Sequence, residues 1–117
     1  DNFISAIYVQ TPIKFYEPPR WTWFSCVEGG KYITGQQGKK WGSAKDILSN
    51  SNVPIVGGFC LTDEGDGHLF VIKEIYNDVV VTLECNYEPG KCTSRTMKIS
   101  EIPLFRGWVL PSGPTMI

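Results

Sequence analysis

Residues 68–85 read HLFVIKEIY-ND-VVVTLEC, which is two apolar runs joined by Asn77-Asp78. Runs rich in Val, Ile and Phe that are separated by turn-forming residues are typical of a β-hairpin. If the odd-numbered apolar sets of both strands face one core, odd residues pair with odd, which predicts a three-residue loop and excludes a two-residue turn. These sets are Leu69, Val71 and Ile75 in the first strand and Val79, Val81, Leu83 and Cys85 in the second.

The same register brings polar side chains together on the opposite face of the hairpin. It predicts that His68, Glu84 and Asn86 share this face, with His68 roughly opposite Asn86. An imidazole beside a carboxylate and a carboxamide is the orienting half of a nucleophilic hydrolase site. The alternative is that the three residues are polar groups on a solvated sheet face.

The rest of the chain adds short helices before the hairpin and short strands around it. One helix is predicted over 20–28, where Gly29-Gly30 would stop it, and another over 43–50, where Ser43 can cap it. Residues 31–41 are predicted to be a loop. Further strands are predicted over 55–61, 94–99 and 104–110. Two short helices followed by about five strands indicate an α+β domain with an antiparallel sheet.

Residues 1–19 differ from the rest because prolines interrupt an alternating apolar pattern. Pro12, Pro18 and Pro19 each remove a backbone donor and restrict the preceding residue, which excludes a helix. We therefore predict an N-terminal arm or edge strand over 1–19, followed by one domain over 20–117.

Composition excludes several classes of protein. The chain has 117 residues, of which 42% are apolar and 20% charged, with a formal net charge of -1. These values are typical of a single globular domain. The lack of excess positive charge argues against a nucleic-acid partner. No apolar stretch approaches the ~18 residues that cross a bilayer, so no membrane span is expected.

Cysteine and histidine content limits the cofactor chemistry. His68 is the only histidine and the four cysteines form no CxxC pair, so we expect no metal site and no cofactor. Cys60 is expected to be a buried strand cysteine. Cys85 and Cys92 flank a turn-like segment and can form a disulfide if the chain meets an oxidant, although reduced thiols are the default expectation.

Short motifs along the chain resemble, in order, those of the CHAP family of peptidoglycan amidases and endopeptidases. They are Thr22-Trp23-Phe24, Trp41-Gly42-Ser43-Ala44, Pro54-Ile55-Val56-Gly57-Gly58, Gly67-His68, Leu83-Glu84-Cys85-Asn86-Tyr87 and Ser94-Arg95-Thr96. The resemblance covers roughly residues 20–110. It implies a papain-like fold with two or three short N-terminal helices packed on a five- to six-stranded antiparallel sheet. It also implies that His68 is the base and that Glu84 and Asn86 orient it.

The chain departs from the family at the nucleophile. In the family a cysteine directly precedes the Thr-Trp pair, at a helix N-terminus where the dipole favours the thiolate. Trp21 occupies that position here, and an indole is not a nucleophile. Cys26 lies about 500° further around a helix of ~3.6 residues per turn, on a different face from Trp21. The resemblance then implies a vestigial base with its orienting groups, and leaves Cys26 as the remaining candidate nucleophile.

Three functions are consistent with these residues, and Trp21 favours the first and the third. The first is a non-catalytic CHAP-like module of a phage tail, a virion or a cell-wall protein, extracellular or virion-associated, that binds peptidoglycan. Its candidate binding residues are Trp21, Trp23, Trp41 and Tyr87, for which core packing is the alternative. The second is an active cysteine hydrolase that cleaves peptidoglycan amides with Cys26 and His68. The third is a structural module whose arm, through Ile4, Ile7 and Val9, adds to the sheet of a neighbouring subunit.

Overall fold

The computed structural model describes residues 13–19 and 25–115. They form the α-helix α1 (Cys26–Ile33), the strands β1 (Phe59–Thr62), β2 (His68–Tyr76), β3 (Val79–Cys85), β4 (Cys92–Thr93), β5 (Thr96–Lys98) and β6 (Phe105–Val109), and two 3₁₀ helices (Ala44–Asp46 and Ile99–Glu101). The strands build one antiparallel sheet in the order β4-β3-β2-β1-β6, and β5 also pairs with β3. The α+β class is confirmed, although the described residues hold one α-helix where two or three short helices were expected.

The central hairpin has the predicted strands but not the predicted loop. β2 and β3 begin and end at the residues expected from the sequence. Tyr76 pairs with Val79, so the connection is the two-residue turn Asn77-Asp78 that the sequence analysis excluded. The prediction of a three-residue loop was therefore wrong.

A β-bulge reconciles this turn with the apolar pattern. The register of β2 against β3 shifts between Ile72 and Glu74, and beyond the shift Val71 pairs with Leu83. An extra residue on one strand changes which side chains lie opposite each other. The odd-with-odd pairing that the sequence predicts is thus restored at the end of the hairpin where β2 begins with His68.

Both faces of the sheet are covered by apolar side chains. One cluster lies on the α1 side and contains Val27, Ile33, Trp41, Ala44, Ile47, Phe59, Leu61, Leu69, Val71, Cys85 and Val109. The other contains Cys60, Phe70, Ile72, Val80, Ile102 and Trp108. His68 and Glu84 are only 5% and 1% exposed, so the alternative that they lie on a solvated face is wrong. Buried polar groups of this kind require hydrogen-bonding partners.

Helix α1 begins at Cys26 because Ser25 caps it. The Ser25 Oγ accepts a hydrogen bond of 3.1 Å from the backbone N–H of Glu28, whose carboxylate lies in the first turn. The helix continues through Gly29-Gly30 to Ile33, so both the helix predicted over 20–28 and the loop predicted to begin at 31 have the wrong bounds.

Gly30 is accommodated in α1 by close packing on β2. A Cβ atom at this position would lie only 2.7 Å from Cδ2 of Leu69. A glycine therefore lets the helix approach the sheet more closely than any larger residue would, and this packing offsets the intrinsic cost of glycine in a helix.

The other elements are shorter than predicted. The helix expected over 43–50 is reduced to the 3₁₀ turn Ala44–Asp46, and Ser43 donates its hydroxyl to the Asp46 carboxylate at 2.8 Å without capping a backbone group. The strand expected from residue 55 begins at Phe59, after Gly57 with its positive φ of 86°. The strands expected over 94–99 and 104–110 are trimmed to β5 and β6.

Cys85 and Cys92 form a disulfide, which overturns the default expectation of reduced thiols. The two residues lie directly opposite each other in β3 and β4, with their Cα atoms 3.9 Å apart. The bond closes the turn over 86–91 and fixes both of its ends.

Of the predicted N-terminal arm, the structure describes residues 13–19. The backbone N–H of Tyr16 donates to the carbonyl of Ile33 at 2.8 Å, and Phe15 packs against the cluster on the α1 side. The arm residues Ile4, Ile7 and Val9 lie outside the described residues, as do Trp21 and Trp23. No helix within the described ranges is long and apolar enough to cross a membrane.

Candidate active site

The thiol of Cys26 lies at the start of α1, against the beginning of β2. His68 and the backbone N–H groups of Leu69 and Val27 lie close enough to the sulfur to lower the pKa of the thiol. Cys26 is partly exposed and lines a pocket. The structure thus brings together the two residues of the second function considered above, Cys26 and His68.

Glu84 orients the imidazole of His68 from the other side. Nε2 of His68 lies 2.8 Å from Oε1 of Glu84. Because an ionised carboxylate only accepts hydrogen bonds, Nε2 carries the proton in this contact and Nδ1 is the nitrogen left for the Cys26 thiol. Thiol, imidazole and carboxylate form a continuous chain, which is the arrangement of a nucleophile, a base and an orienting group.

Both oxygens of the Glu84 carboxylate have further partners. The Thr82 hydroxyl donates to Oε2. The Arg95 guanidinium donates to Oε2 from Nε at 2.9 Å and to Oε1 from Nη2 at 2.8 Å. A carboxylate that is almost fully buried is therefore held ionised by charge-assisted hydrogen bonds.

The three groups shift one another's pKa in the direction that catalysis needs. Burial raises the pKa of Cys26, but the interactions with His68, Leu69 and Val27 together outweigh it, and the pKa lies below its ordinary value. Burial likewise opposes the imidazolium, yet the hydrogen bonds to Cys26 and Glu84 raise the pKa of His68 to about 9. The pKa of Glu84 is lowered because hydrogen bonds from His68, Arg95 and Thr82 outweigh its burial. A thiolate beside an imidazolium is thus favoured near neutral pH.

A pocket of about 300 Å³ opens onto the sulfur. Its lining comprises Cys26, Glu64, Gly65, Asp66, Gly67, His68, Asn86 and Tyr87. A larger pocket of about 420 Å³ lies between residues 15–18 and the outer part of the sheet, but it contains neither the thiol nor the imidazole. The smaller pocket is therefore the candidate active site, because it alone of the two contains a thiol and an imidazole.

Two of the predicted site residues, Asn86 and Tyr87, lie in this pocket wall. The Oδ1 of Asn86 accepts a hydrogen bond of 3.0 Å from the backbone N–H of Gly90, and Asn86 has a positive φ of 63°. Asn86 therefore shapes the turn after β3. The ring of Tyr87 lies 5.9 Å from that of His68, measured between centroids.

Trp41 lies away from the pocket. Only 8% of the residue is exposed, and its ring meets that of Phe59 edge-on with centroids 5.3 Å apart. Its packing in the cluster on the α1 side of the sheet leaves little of the residue open to a ligand. The other two predicted binding aromatics, Trp21 and Trp23, are not among the described residues.

Cys60, the second free thiol, has a different environment. It is fully buried in β1, and burial raises the pKa of its thiol above the ordinary value. A buried neutral thiol is unreactive, so Cys26 is the reactive candidate of the two.

The described part of the chain contains no group of three or more His, Cys, Asp and Glu side chains that can hold a metal ion.

Several contributors to the site were missed at the level of sequence, among them Ser25 and Arg95. Ser25 followed by Glu28 is the S-x-x-E pattern that marks a helix start, and it would have placed Cys26 in the first turn. Arg95 carries no local signal of its role, because it reaches Glu84 across the edge of the sheet.

Comparison with protein-family models, with curated proteins and with solved structures finds no significant match to this chain.

Proposed function

We propose that the protein is a cysteine hydrolase that cleaves an amide bond by acyl transfer, with Cys26 as nucleophile and His68 as base. The observation that carries this proposal is that Cys26, in the first turn of α1, lines one pocket with His68, whose imidazole is held by Glu84. A helix N-terminus and an imidazolium both favour a thiolate. Their combination at one sulfur is the usual requirement for a nucleophilic cysteine.

The reaction proceeds in two halves. The Cys26 sulfur attacks the scissile carbonyl carbon, and the C–N bond breaks as the His68 imidazolium gives its proton to the leaving amine. The resulting thioester is then hydrolysed by a water molecule whose proton passes to the neutral imidazole. Release of the carboxylic acid restores the thiolate and the imidazolium.

Backbone donors are available for the negative charge on the carbonyl oxygen during attack. The first N–H groups of an α-helix have no acceptor within the helix, and they point along its axis toward the N-terminus. In α1 the N–H of Glu28 donates to the Ser25 hydroxyl and that of Gly29 to the Ser25 carbonyl, so the groups we propose for this role are the N–H groups of Cys26 and Val27, in the same turn as the sulfur. Donors fixed in this way contribute more to catalysis than flexible ones, because they need no reorganisation.

We propose peptidoglycan as the substrate and a papain-like architecture as the fold, both from the sequence resemblance to the CHAP family. The disulfide between Cys85 and Cys92 supports an extracellular or virion-associated location, since such bonds persist in oxidising surroundings. The proposal replaces the non-catalytic module favoured by Trp21, because Cys26 supplies the nucleophile that Trp21 lacks.

Release of soluble muropeptides from purified peptidoglycan, followed by mass spectrometry, tests the proposal. The parent is expected to release fragments, whereas Cys26→Ala and His68→Ala release none. Cys60→Ala is the matched control, since it removes a thiol remote from the pocket and should retain activity. A folded parent that releases no more than Cys26→Ala from any wall type would favour the non-catalytic module. Activity that survives Cys26→Ala would exclude Cys26 as the nucleophile.

A further inference from the structure

Glu84 can orient His68 only if the carboxylate itself is held in one plane, and Arg95 provides that constraint. Its Nε and Nη2 atoms donate to different oxygens of Glu84, at 2.9 and 2.8 Å. A two-pronged contact fixes both the position and the plane of a carboxylate, whereas a lysine ammonium acts as a single point charge. The oxygen contacted by Nη2 also accepts from Nε2 of His68.

The guanidinium of Arg95 is itself held from two sides of the pocket. Glu64, in the loop after β1, accepts from Nη1 at 3.0 Å and from Nη2 at 3.1 Å. The ring of Tyr87, in the turn after β3, stacks against the guanidinium with its centroid 3.7 Å from Cζ. With 15% of its side chain exposed, Arg95 has little freedom to leave this position.

An interruption in the edge of the sheet accommodates the Arg95 side chain. Arg95 lies between β4 and β5, where the outer strand beside β3 is interrupted. Its backbone N–H donates to the Thr82 hydroxyl at 2.8 Å, and the Thr82 N–H donates to the Arg95 carbonyl at 2.9 Å. The same hydroxyl donates to Glu84, so the backbone and the side chain of Arg95 both converge on the catalytic carboxylate.

We propose that Arg95 is a positioning residue whose guanidinium holds the Glu84 carboxylate in the orientation that binds His68. The inference rests on the proposed function for the roles of Cys26 and His68, and extends it to a residue that acts through Glu84. When Arg95 is replaced, the loss of its charge and the loss of its orienting contacts should shift the pKa of His68 in opposite directions. Loss of the positive charge alone would strengthen the attraction between Glu84 and the imidazolium, whereas loss of the orientation would weaken it.

The pH dependence of Cys26 alkylation distinguishes the orienting role of Arg95 from the effect of its charge. Among the described residues, the titratable groups around His68 are Cys26 on α1, Glu84 on β3, Tyr87 after β3, and Glu64 and Asp66 in the adjoining loop. The thiolate is stabilised as long as the imidazolium is protonated. The upper inflection of the alkylation rate therefore reports the loss of the His68 proton.

The experiment measures the rate of Cys26 alkylation by iodoacetamide across the pH range, with mass spectrometry to assign the modified residue. It needs no substrate, so it is independent of hydrolysis. In the parent the upper inflection is expected near 9, where the pKa of His68 lies. In Arg95→Lys, which keeps the charge but loses the fork, it should fall by about one pH unit or more. Arg95→Met loses the charge as well, which opposes the fall, so its inflection should lie between those of Arg95→Lys and the parent.

Arg106→Lys is the matched control, since Arg106 donates to the carbonyl of Ile47 at 2.6 Å and pairs with Asp63 rather than with Glu84. It should keep the parental profile. A parental inflection in folded Arg95→Lys, or a raised inflection in Arg95→Met, would overturn the proposal. If Arg95→Met melts below the assay temperature, Arg95→Lys decides alone. A parent whose Cys26 titrates like a free thiol would contradict the Cys26–His68 pair itself, which is a separate outcome.

Discussion

Nε2 of His68 and Oε1 of Glu84 lie 2.8 Å apart, and at most 5% of either residue is exposed. Burial opposes the charged form of each group, so the pair persists because each stabilises the charge of the other and Arg95 compensates the carboxylate. The imidazole is held in one orientation before any substrate binds, with its second nitrogen left for Cys26. A site organised in this way does not spend binding energy on arranging its own base.

Replacement of Glu84 by glutamine should remove most of the activity. Glu84→Gln keeps the size of the side chain but loses the charge that stabilises the imidazolium, so kcat/KM should fall by about a hundredfold or more. The loss should lie mainly in kcat. Steady-state kinetics on soluble muropeptides, with thermal melting to verify folding, provide the measurement.

The control for this variant is Glu74→Gln. Glu74 lies on β2 and accepts a hydrogen bond of 2.8 Å from the exposed Tyr76 hydroxyl. The Glu74→Gln variant loses the same negative charge, but from the strand next to β3, so its activity should equal that of the parent. If Glu84→Gln retained a third or more of the parental kcat/KM, the orienting role of Glu84 would be rejected.

The pH profile of kcat/KM should be bell-shaped. Its acid limb should lie below the pH at which a free thiol ionises, and its alkaline limb above the pH at which a free imidazole loses its proton. Activity requires the thiolate, and the pKa of Cys26 is lowered, so activity should appear below the pH at which a free thiol ionises. Activity should fall as the pH rises through about 9, because the His68 imidazolium then loses the proton that the leaving amine needs. Initial rates at low substrate concentration across the pH range test both limbs. An alkaline limb near 6.5 would show that the His68 pKa is not raised.

The hairpin was the most predictable part of the molecule. The bounds of β2 and β3 follow from two apolar β-branched runs and an Asn-Asp turn, and the same parity places His68 and Glu84 on one face. The prediction of a three-residue loop was wrong because it assumed a regular register between β2 and β3 along their whole length. A β-bulge inside β2 satisfies both the short turn and the apolar pattern, and no residue of the run marks where it occurs.

The sequence named Cys26 as a candidate nucleophile but not its place at a helix N-terminus, because the start of α1 was placed too early. Gly29-Gly30 were predicted to end the helix, but Gly30 lies in the middle of α1 and packs against Leu69. Weight on the Ser25 cap would have put Cys26 at the dipole end of the helix. The contribution of Arg95 depends on pairing at the sheet edge, which a single sequence does not encode locally.

Reduction of the Cys85–Cys92 disulfide should lower the free energy of unfolding by about 2–3 kcal/mol, from the chain entropy of a loop with a sequence separation of 7. The measurement is urea unfolding with and without reductant, in a Cys26→Ser background so that the nucleophile does not react. Cys92 is exposed, so Cys26→Ser/Cys92→Ala removes the bond without opening a cavity in the core. This control should be indifferent to reductant. An unchanged midpoint in the disulfide-bonded protein would mean that the bond does not stabilise the turn.

Gly30→Ala should destabilise the protein, although the same change in an exposed helix stabilises by about 1 kcal/mol. The new Cβ would lie 2.7 Å from Cδ2 of Leu69, and moving a buried side chain costs about 1–3 kcal/mol. Combined with Leu69→Ala, the penalty should shrink, which a double-mutant cycle in urea detects. The backbone N–H of Leu69 helps to lower the pKa of Cys26, so displacement of α1 from β2 should also slow alkylation of Cys26 near neutral pH. A gain in stability for Gly30→Ala alone would refute the close packing of α1 on β2.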